Sequence, residues 1–131
     1  MAAHRRKTGE EPSVNSWPRR GEIYLTALDP TVGHEIRKTR PALVVQNNVS
    51  NEHGLTTMVA PITSTVRLPL SPVHVLIAAD ETTGLTVPSV ALLTQIRTVD
   101  RRRLLKRLGE VDSATMTHVG DAVKIGFGLD V

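Results

Sequence analysis

LDPTVGHEIRKTRPALVVQN, residues 28–47, packs a turn, a charged loop and an apolar run into one stretch. The Asp29-Pro30 pair ends whatever strand precedes it, because proline has no N–H to give to a ladder and the pair favours a turn. Across residues 31–39 only Val32 and Ile36 are apolar, and Gly33 is free to adopt a backbone conformation that other residues resist. Arg40-Pro41 closes the loop. The residue before a proline is pushed to the extended region, and Ala42, Leu43, Val44 and Val45 form the short apolar run of a buried strand. Arg40 is therefore expected at the mouth of a rigid element. A loop of Gly, His, Glu, Arg, Lys and Arg has no core to serve, and it reads as half of a site.

Upstream, residues 22–28 alternate as a strand, with Ile23, Leu25 and Ala27 on one face. Residues 1–18 mix charge with Gly, Pro and Ser and have no apolar period, the composition of a flexible N-terminal tail. The folded domain is expected over 19–131. Downstream, residues 47–51 read as a turn or a short capped helix, and residues 57–63 as a strand whose Pro61 hints at an edge or bulge. Residues 73–77 and 89–97 read as two more strands, the second long enough to cross the domain. Asp100 can cap a short helix over 101–106, and residues 108–111 look like a final strand. From Asp112-Ser113 a second helix places Met116, Val119, Ala122 or Val123, and Phe127 at three- and four-residue intervals. Short strands joined by polar turns predict a mainly β fold with short helices: a strongly twisted antiparallel barrel carrying a C-terminal helix.

At 131 residues the chain is the size of one domain. With no cysteine, disulfides, thiolate metal sites and cysteine nucleophiles are excluded, and a reducing cytoplasm suits the composition. No apolar run approaches membrane-spanning length, so a soluble cytoplasmic protein is expected. The formal charge is only +3, but Arg19-Arg20, Arg37-Lys38-Arg40 and Arg101-Arg102-Arg103 with Lys106-Arg107 are clusters. Clusters of this kind favour a polyanion; the 101–107 cluster reads equally as a solvated helix face. Trp17, Tyr24 and Phe127 are the only aromatics, too few for a stacking platform, so bound RNA would be read by charge and hydrogen bonds.

Several chemistries drop out. The histidines, at 4, 34, 53, 74 and 118, include no i, i+4 pair, and HExxH is absent, so no metal is expected. There is no GxSxG elbow, P-loop or GxGxxG, and no cofactor is expected. What remains is an arginine, hydroxyls and a carboxylate at loop and strand ends. That set suits metal-free RNA cleavage, in which the neighbouring 2′-hydroxyl attacks phosphorus and the 5′ oxygen leaves. Arg40 can grip two phosphoryl oxygens and stays charged. Thr63 can hydrogen-bond the phosphate, and Glu35 or His34 can take the 2′-hydroxyl proton.

Ordered blocks of the sequence resemble the MazF/PemK toxins of bacterial toxin–antitoxin pairs: RGEIY at 20–24, LDP at 28–30 with Gly33 and Glu35, TRPALVVQN at 39–47, PITS at 61–64, Ser89-Val90 and QIRTVD at 95–100. The resemblance runs from about Arg19 to the end. It implies an SH3-like barrel of the MazF/PemK/CcdB type, a homodimer, and metal-independent endoribonuclease activity on single-stranded RNA at a short sequence. It also implies products with 2′,3′-cyclic phosphate and 5′-hydroxyl ends, and a cognate MazE-like antitoxin whose extended acidic segment masks the site. By position, Arg40, Thr63 and Glu35 match catalytic residues, Asn47 and Gln95 match positions associated with RNA recognition, and His34, Lys38 and Ser64 are expected to contact RNA. Two positions depart from the family: His34 stands where serine is common, and Thr94 where glutamate is. An alternative reading is a CcdB-like inhibitory toxin that binds DNA gyrase and cleaves nothing; it would not need the Arg40/Thr63 pair. A passive RNA-binding barrel would bind with a steep salt slope and not cut.

Overall fold

The computed structural model describes residues 16–129. Seven strands make one antiparallel sheet: β1 (Glu22–Ala27), β2 (Thr39–Val44), β3 (Thr56–Thr63), β4 (His74–Ile77), β5 (Ser89–Leu92), β6 (Arg97–Asp100) and β7 (Leu104–Glu110). Their order is β4-β5-β3-β2-β1-β7, with β6 also paired to β3. Helix α1 (Asn48–His53) follows β2, and α2 (Ser113–Gly126), the last element, packs on β4. The expected mainly β fold with a C-terminal helix is what the chain adopts.

Pro61 is not at an edge. β3 pairs with β2 on one side; on the other, its residues 56–59 pair with β6 and its residues 62–63 with β5. Val45 donates to the Met58 carbonyl, so by alternation the Pro61 nitrogen points away from β2, into the gap where β6 has ended and β5 has not begun. A residue with no N–H suits that gap. The change of partner bends the sheet.

The barrel does not close through a β4–β7 ladder. The 78–88 loop crosses instead, and Glu110 donates to the Thr82 carbonyl at 2.9 Å. Gly84 (φ +73°) and Gly109 permit the approach: a Cβ on the first would lie 2.0 Å from the Leu108 carbonyl oxygen, and one on the second 2.2 Å from that of Thr82.

Most of the buried apolar residues fall in two clusters. Ile23, Leu43, Ala60, Ile62, Ile77, Leu93, Val119 and Ala122 join the sheet to α2, and Tyr24, Leu28, Val44, Val59, Val99 and Leu104 fill the other face. Of the α2 stripe, Val119 and Ala122 are buried and Met116 and Val123 pack against them, but Phe127 is exposed.

The strand expected over 89–97 is two. A 3-10 turn, Leu93–Gln95, separates β5 from β6, which lets the two pair with different stretches of β3. The helix expected over 101–106 is only a 3-10 turn, Arg101–Arg103, capped by Asp100 as expected, and the last strand starts at Leu104. Of the expected tail, residues 1–15 lie outside the described residues, while Ser16 and Pro18 are buried and the Arg19 guanidinium lies 4.4 Å from the Trp17 ring centroid.

The 101–107 arginines are not a solvated helix face. Arg101 donates to the Gly54 and Ser16 carbonyls, and Arg103 to those of Ala27 and Asp29. Arg107 is buried and donates through Nε to Glu22 Oε2 at 2.6 Å. Only Arg102 turns outward, paired with Asp100. Arg101 and Arg103 are turned onto these carbonyls from the 3-10 turn, and Arg107 is turned inward from β7, whose pairing with β1 shifts register on the way.

Asp112 caps α2 by accepting from the Thr115 N–H at 2.8 Å. Hydrogen bonds from Thr115, with a smaller contribution from His118, hold its carboxyl below the ordinary aspartate value. A depressed folded pKa contributes stability above the unfolded pKa of about 3.9, lost as pH falls through the folded value. Asp112→Ala should therefore lower the urea midpoint at pH 7, and the difference from wild type should shrink below about pH 4. Equal differences at pH 7 and pH 3 would contradict this.

Candidate active site

Strand register brings Arg40 and Thr63 together. Ala42 pairs with Pro61, so the same register continued two residues outward sets Arg40 opposite Thr63. On the far side of β3, Thr63 pairs with Val90, and Leu92 pairs with His74 of β4. Opposed residues share a face, as do residues i and i+2. Arg40, Thr63, Val90, Leu92 and His74 thus project from one face, and all five line a cavity of about 600 Å³. His34 and Ile36 enter from the 28–38 loop, Gln95 from the 3-10 turn, and Thr65 and Arg67 from the 64–73 loop.

The loop is held from several sides. Leu28 donates to the Lys38 carbonyl across its neck, and Lys38 donates back to Asp29 Oδ1, both at 3.0 Å. Lys38 takes a left-handed φ of 72°, a strain that persists only where surrounding bonds enforce it. Glu35 Oε1 accepts from Val32 at 2.7 Å, and Gln95 Oε1 accepts from Ile36 at 2.8 Å. Below the neck, Arg97 donates to the Leu28 carbonyl at 2.6 Å, and Arg103 grips the carbonyls on either side of Leu28.

Two side chains are oriented for an anion. Arg40 donates through Nε to the Arg37 carbonyl at 2.9 Å, which fixes the guanidinium and leaves its terminal nitrogens for two oxygens. Thr63 Oγ1 accepts from the Thr65 N–H at 3.1 Å, which uses a lone pair and leaves the hydroxyl proton to donate. Among the described residues no carboxylate lines the cavity; its polar wall is made of arginines, imidazoles, hydroxyls and one amide.

Of the residues expected at the site, His34, Arg40, Thr63 and Gln95 meet at this cavity. Glu35, Lys38 and Ser64 are exposed beside it and do not line it. Asn47 lies beyond the other end of β2, where its side chain caps α1 by accepting from Ser50 at 2.8 Å. Thr65, Arg67 and His74 are lining residues that sequence reasoning missed. The signal for the first two was the alternation Thr63, Thr65, Arg67 past the strand end; His74 stood in a strand with nothing to mark its inward face.

The family described as PemK-like, MazF-like toxin of type II toxin-antitoxin system matches residues 19–127. Endoribonuclease EndoA of Bacillus subtilis is 39% identical over 111 residues, 85% of this chain and 95% of that protein. Among solved structures, MazF from Deinococcus radiodurans superposes with a TM-score of 0.72 at 26% identity, covering 86% of this chain and 98% of that one. A mycobacterial endoribonuclease in complex with its cognate antitoxin gives a TM-score of 0.71 at 26% identity, with 87% and 98% covered.

Proposed function

This chain belongs to the PemK-like, MazF-like toxins of type II toxin–antitoxin systems, and we propose that, as an endoribonuclease of that family, it cleaves single-stranded RNA at a short sequence without a metal ion. The observation that carries the reading is the meeting of Arg40 and Thr63 in one cavity, each fixed by a hydrogen bond of its own. The 2′-hydroxyl attacks phosphorus, the P–O5′ bond breaks, and the products are a 2′,3′-cyclic phosphate and a 5′-hydroxyl. Charge gathers on the phosphoryl oxygens during attack. Arg40 and the Thr63 hydroxyl stabilise it, a task for preorganised donors in a partly enclosed site.

The 2′-hydroxyl proton goes to a group on the 28–38 loop: His34, whose side chain lines the cavity, or Glu35, whose Oε1 is already occupied by Val32. His34→Ala separates them, since loss of an imidazole base removes the acidic limb of the pH–rate profile. An unchanged profile makes His34 a bystander and leaves Glu35 or neither residue as the base. Gln95 and Ser64 contact the RNA beside the scissile phosphate, and Lys38 its backbone; Asn47 supports recognition at a distance.

Incubation of the purified protein with a long RNA in excess EDTA tests the function. Cleavage to cyclic-phosphate ends is expected. No cleavage with EDTA or with added magnesium overturns the enzyme reading in favour of a gyrase-binding inhibitor or a passive RNA binder.

Two further parts of the proposal concern partners. A MazE-like antitoxin masks the cavity with an extended acidic segment, for which Arg40 and Arg67 supply the complementary charge. The protein acts as a cytoplasmic homodimer. Exposed Leu76 on edge strand β4 and exposed Phe127 after α2 favour a second copy there, and no helix among the described residues is long and apolar enough to cross a membrane.

A further inference from the structure

The guanidinium groups near the site are mostly engaged. Arg40 donates to the Arg37 carbonyl, and Arg97 and Arg103 to carbonyls at the neck of the 28–38 loop. Arg67 is different. It lines the main cavity, it is exposed, and among the described residues no hydrogen bond or ion pair holds its guanidinium. Just before it, the bond from the Thr65 N–H to Thr63 Oγ1 at 3.1 Å fixes the path of the chain off the end of β3. A planar fork of N–H donors thus stands in the cavity with nothing in the protein to grip.

The other lining groups narrow what that fork can take. Gln95 Oε1 already accepts from the Ile36 N–H, so its amide has donors left to give. Among the described residues no carboxylate lines the cavity, and only hydroxyls and imidazoles among the lining side chains can still accept. A wall rich in donors suits a group with acceptors side by side. Phosphate is one, and Arg40 and Thr63 answer it. Among the bases, guanine sets two acceptors, O6 and N7, next to each other on one edge, at the spacing of a guanidinium fork; adenine and cytosine present an amino donor there, and uracil a single oxygen. Leu70, Val90 and Leu92 give the same cavity apolar surface for the faces of a base. No aromatic side chain lines it, so discrimination falls to the base edge instead of to stacking.

We propose that Arg67 is a specificity-determining residue that reads a guanine, through O6 and N7, on one of the two nucleotides joined by the cleaved linkage. The inference rests on the endoribonuclease reading of the same cavity. The base lies beside the scissile phosphate because Arg67 and Thr63 line one cavity. Arg67 takes no part in the bond changes; its grip on the base sets the nucleotide in place for Arg40 and Thr63.

The test maps the cut sites on a long RNA and then follows single-turnover cleavage of short RNAs carrying each base in turn at the two flanking positions. A further RNA carries 7-deazaguanosine, in which C–H replaces N7. Wild type should favour guanosine at one flanking position by about ten- to a hundredfold and lose about tenfold on the 7-deaza RNA. Arg67→Ala and Arg67→Gln should cut the guanosine RNA no faster than the others and treat guanosine and 7-deazaguanosine alike. No guanosine preference at either position, wild-type indifference to N7, or variants that slow every RNA equally and keep the preference each overturn the assignment; the last result would make Arg67 a phosphate contact. Failure of the wild-type protein to cut the long RNA instead overturns the endoribonuclease reading. The preference is a ratio between substrates within one variant, so a smaller active fraction leaves it unchanged.

Discussion

Arg40→Ala should lower the single-turnover rate of RNA cleavage about a thousandfold, the scale on which loss of a preorganised donor to developing negative charge is felt. Its Nε bond to the Arg37 carbonyl fixes the guanidinium plane before substrate arrives, so little reorganisation accompanies attack. Arg40→Lys should recover little of the loss, since an ammonium offers a point charge where a planar fork grips two oxygens. The side chain is half-exposed at the start of β2, so the thermal midpoint should hardly move. A variant that retains more than a tenth of the wild-type rate would remove Arg40 from the centre of the reaction.

The largest effect on stability is expected at the opposite end of β1. Glu22 and Arg107 are 2% and 5% exposed and join β1 to β7. Glu22 Oε1 also accepts from the Arg19 N–H at 2.6 Å and the Tyr24 hydroxyl at 3.1 Å. Removing Glu22 takes from buried Arg107 its 2.6 Å partner and leaves the 3.7 Å contact to Glu110, so Glu22→Ala should cost about 3–5 kcal/mol. That is a large fraction of the stability of an ordinary domain. Replacing both by apolar residues, Glu22→Leu with Arg107→Met, should recover much of the loss. Urea unfolding of the single and double variants measures this; a single-variant loss below about 1 kcal/mol would show the pair to be solvated.

The frame of the site was readable because it follows from local rules. Asp29-Pro30 and Arg40-Pro41 bracket the loop, and the apolar run after Pro41 is the start of a buried strand. Thr63, at the end of the next long strand, is one register step from meeting Arg40. What could not be read was every fact that depends on which strand lies beside which. The 89–97 run, apolar from Val90 to Leu93 and again at Ile96, looks continuous, yet it divides because β3 takes two partners. The 101–107 run looks like a surface helix, yet β7 turns Arg107 inward to a glutamate 85 positions earlier. His74 shares a face with Thr63 only through β5, which local periodicity does not reveal. Asn47 sits near the site in sequence and far from it in space, because a strand carries it away.

The arginine grip on the base of the loop bears on the order in which the protein is made. Arg40 and Thr63 leave the ribosome early, but the groups that hold the carbonyls of Ala27, Leu28 and Asp29 are Arg97 and Arg103, and Gln95 steadies Ile36. Synthesis must pass residue 103 before the neck is clamped and residue 107 before β1 has its buried partner. A half-made chain carries Arg40 and Thr63 without the bonds that hold the loop beside them. The loop that Arg40 closes is therefore held in place only when translation is nearly complete.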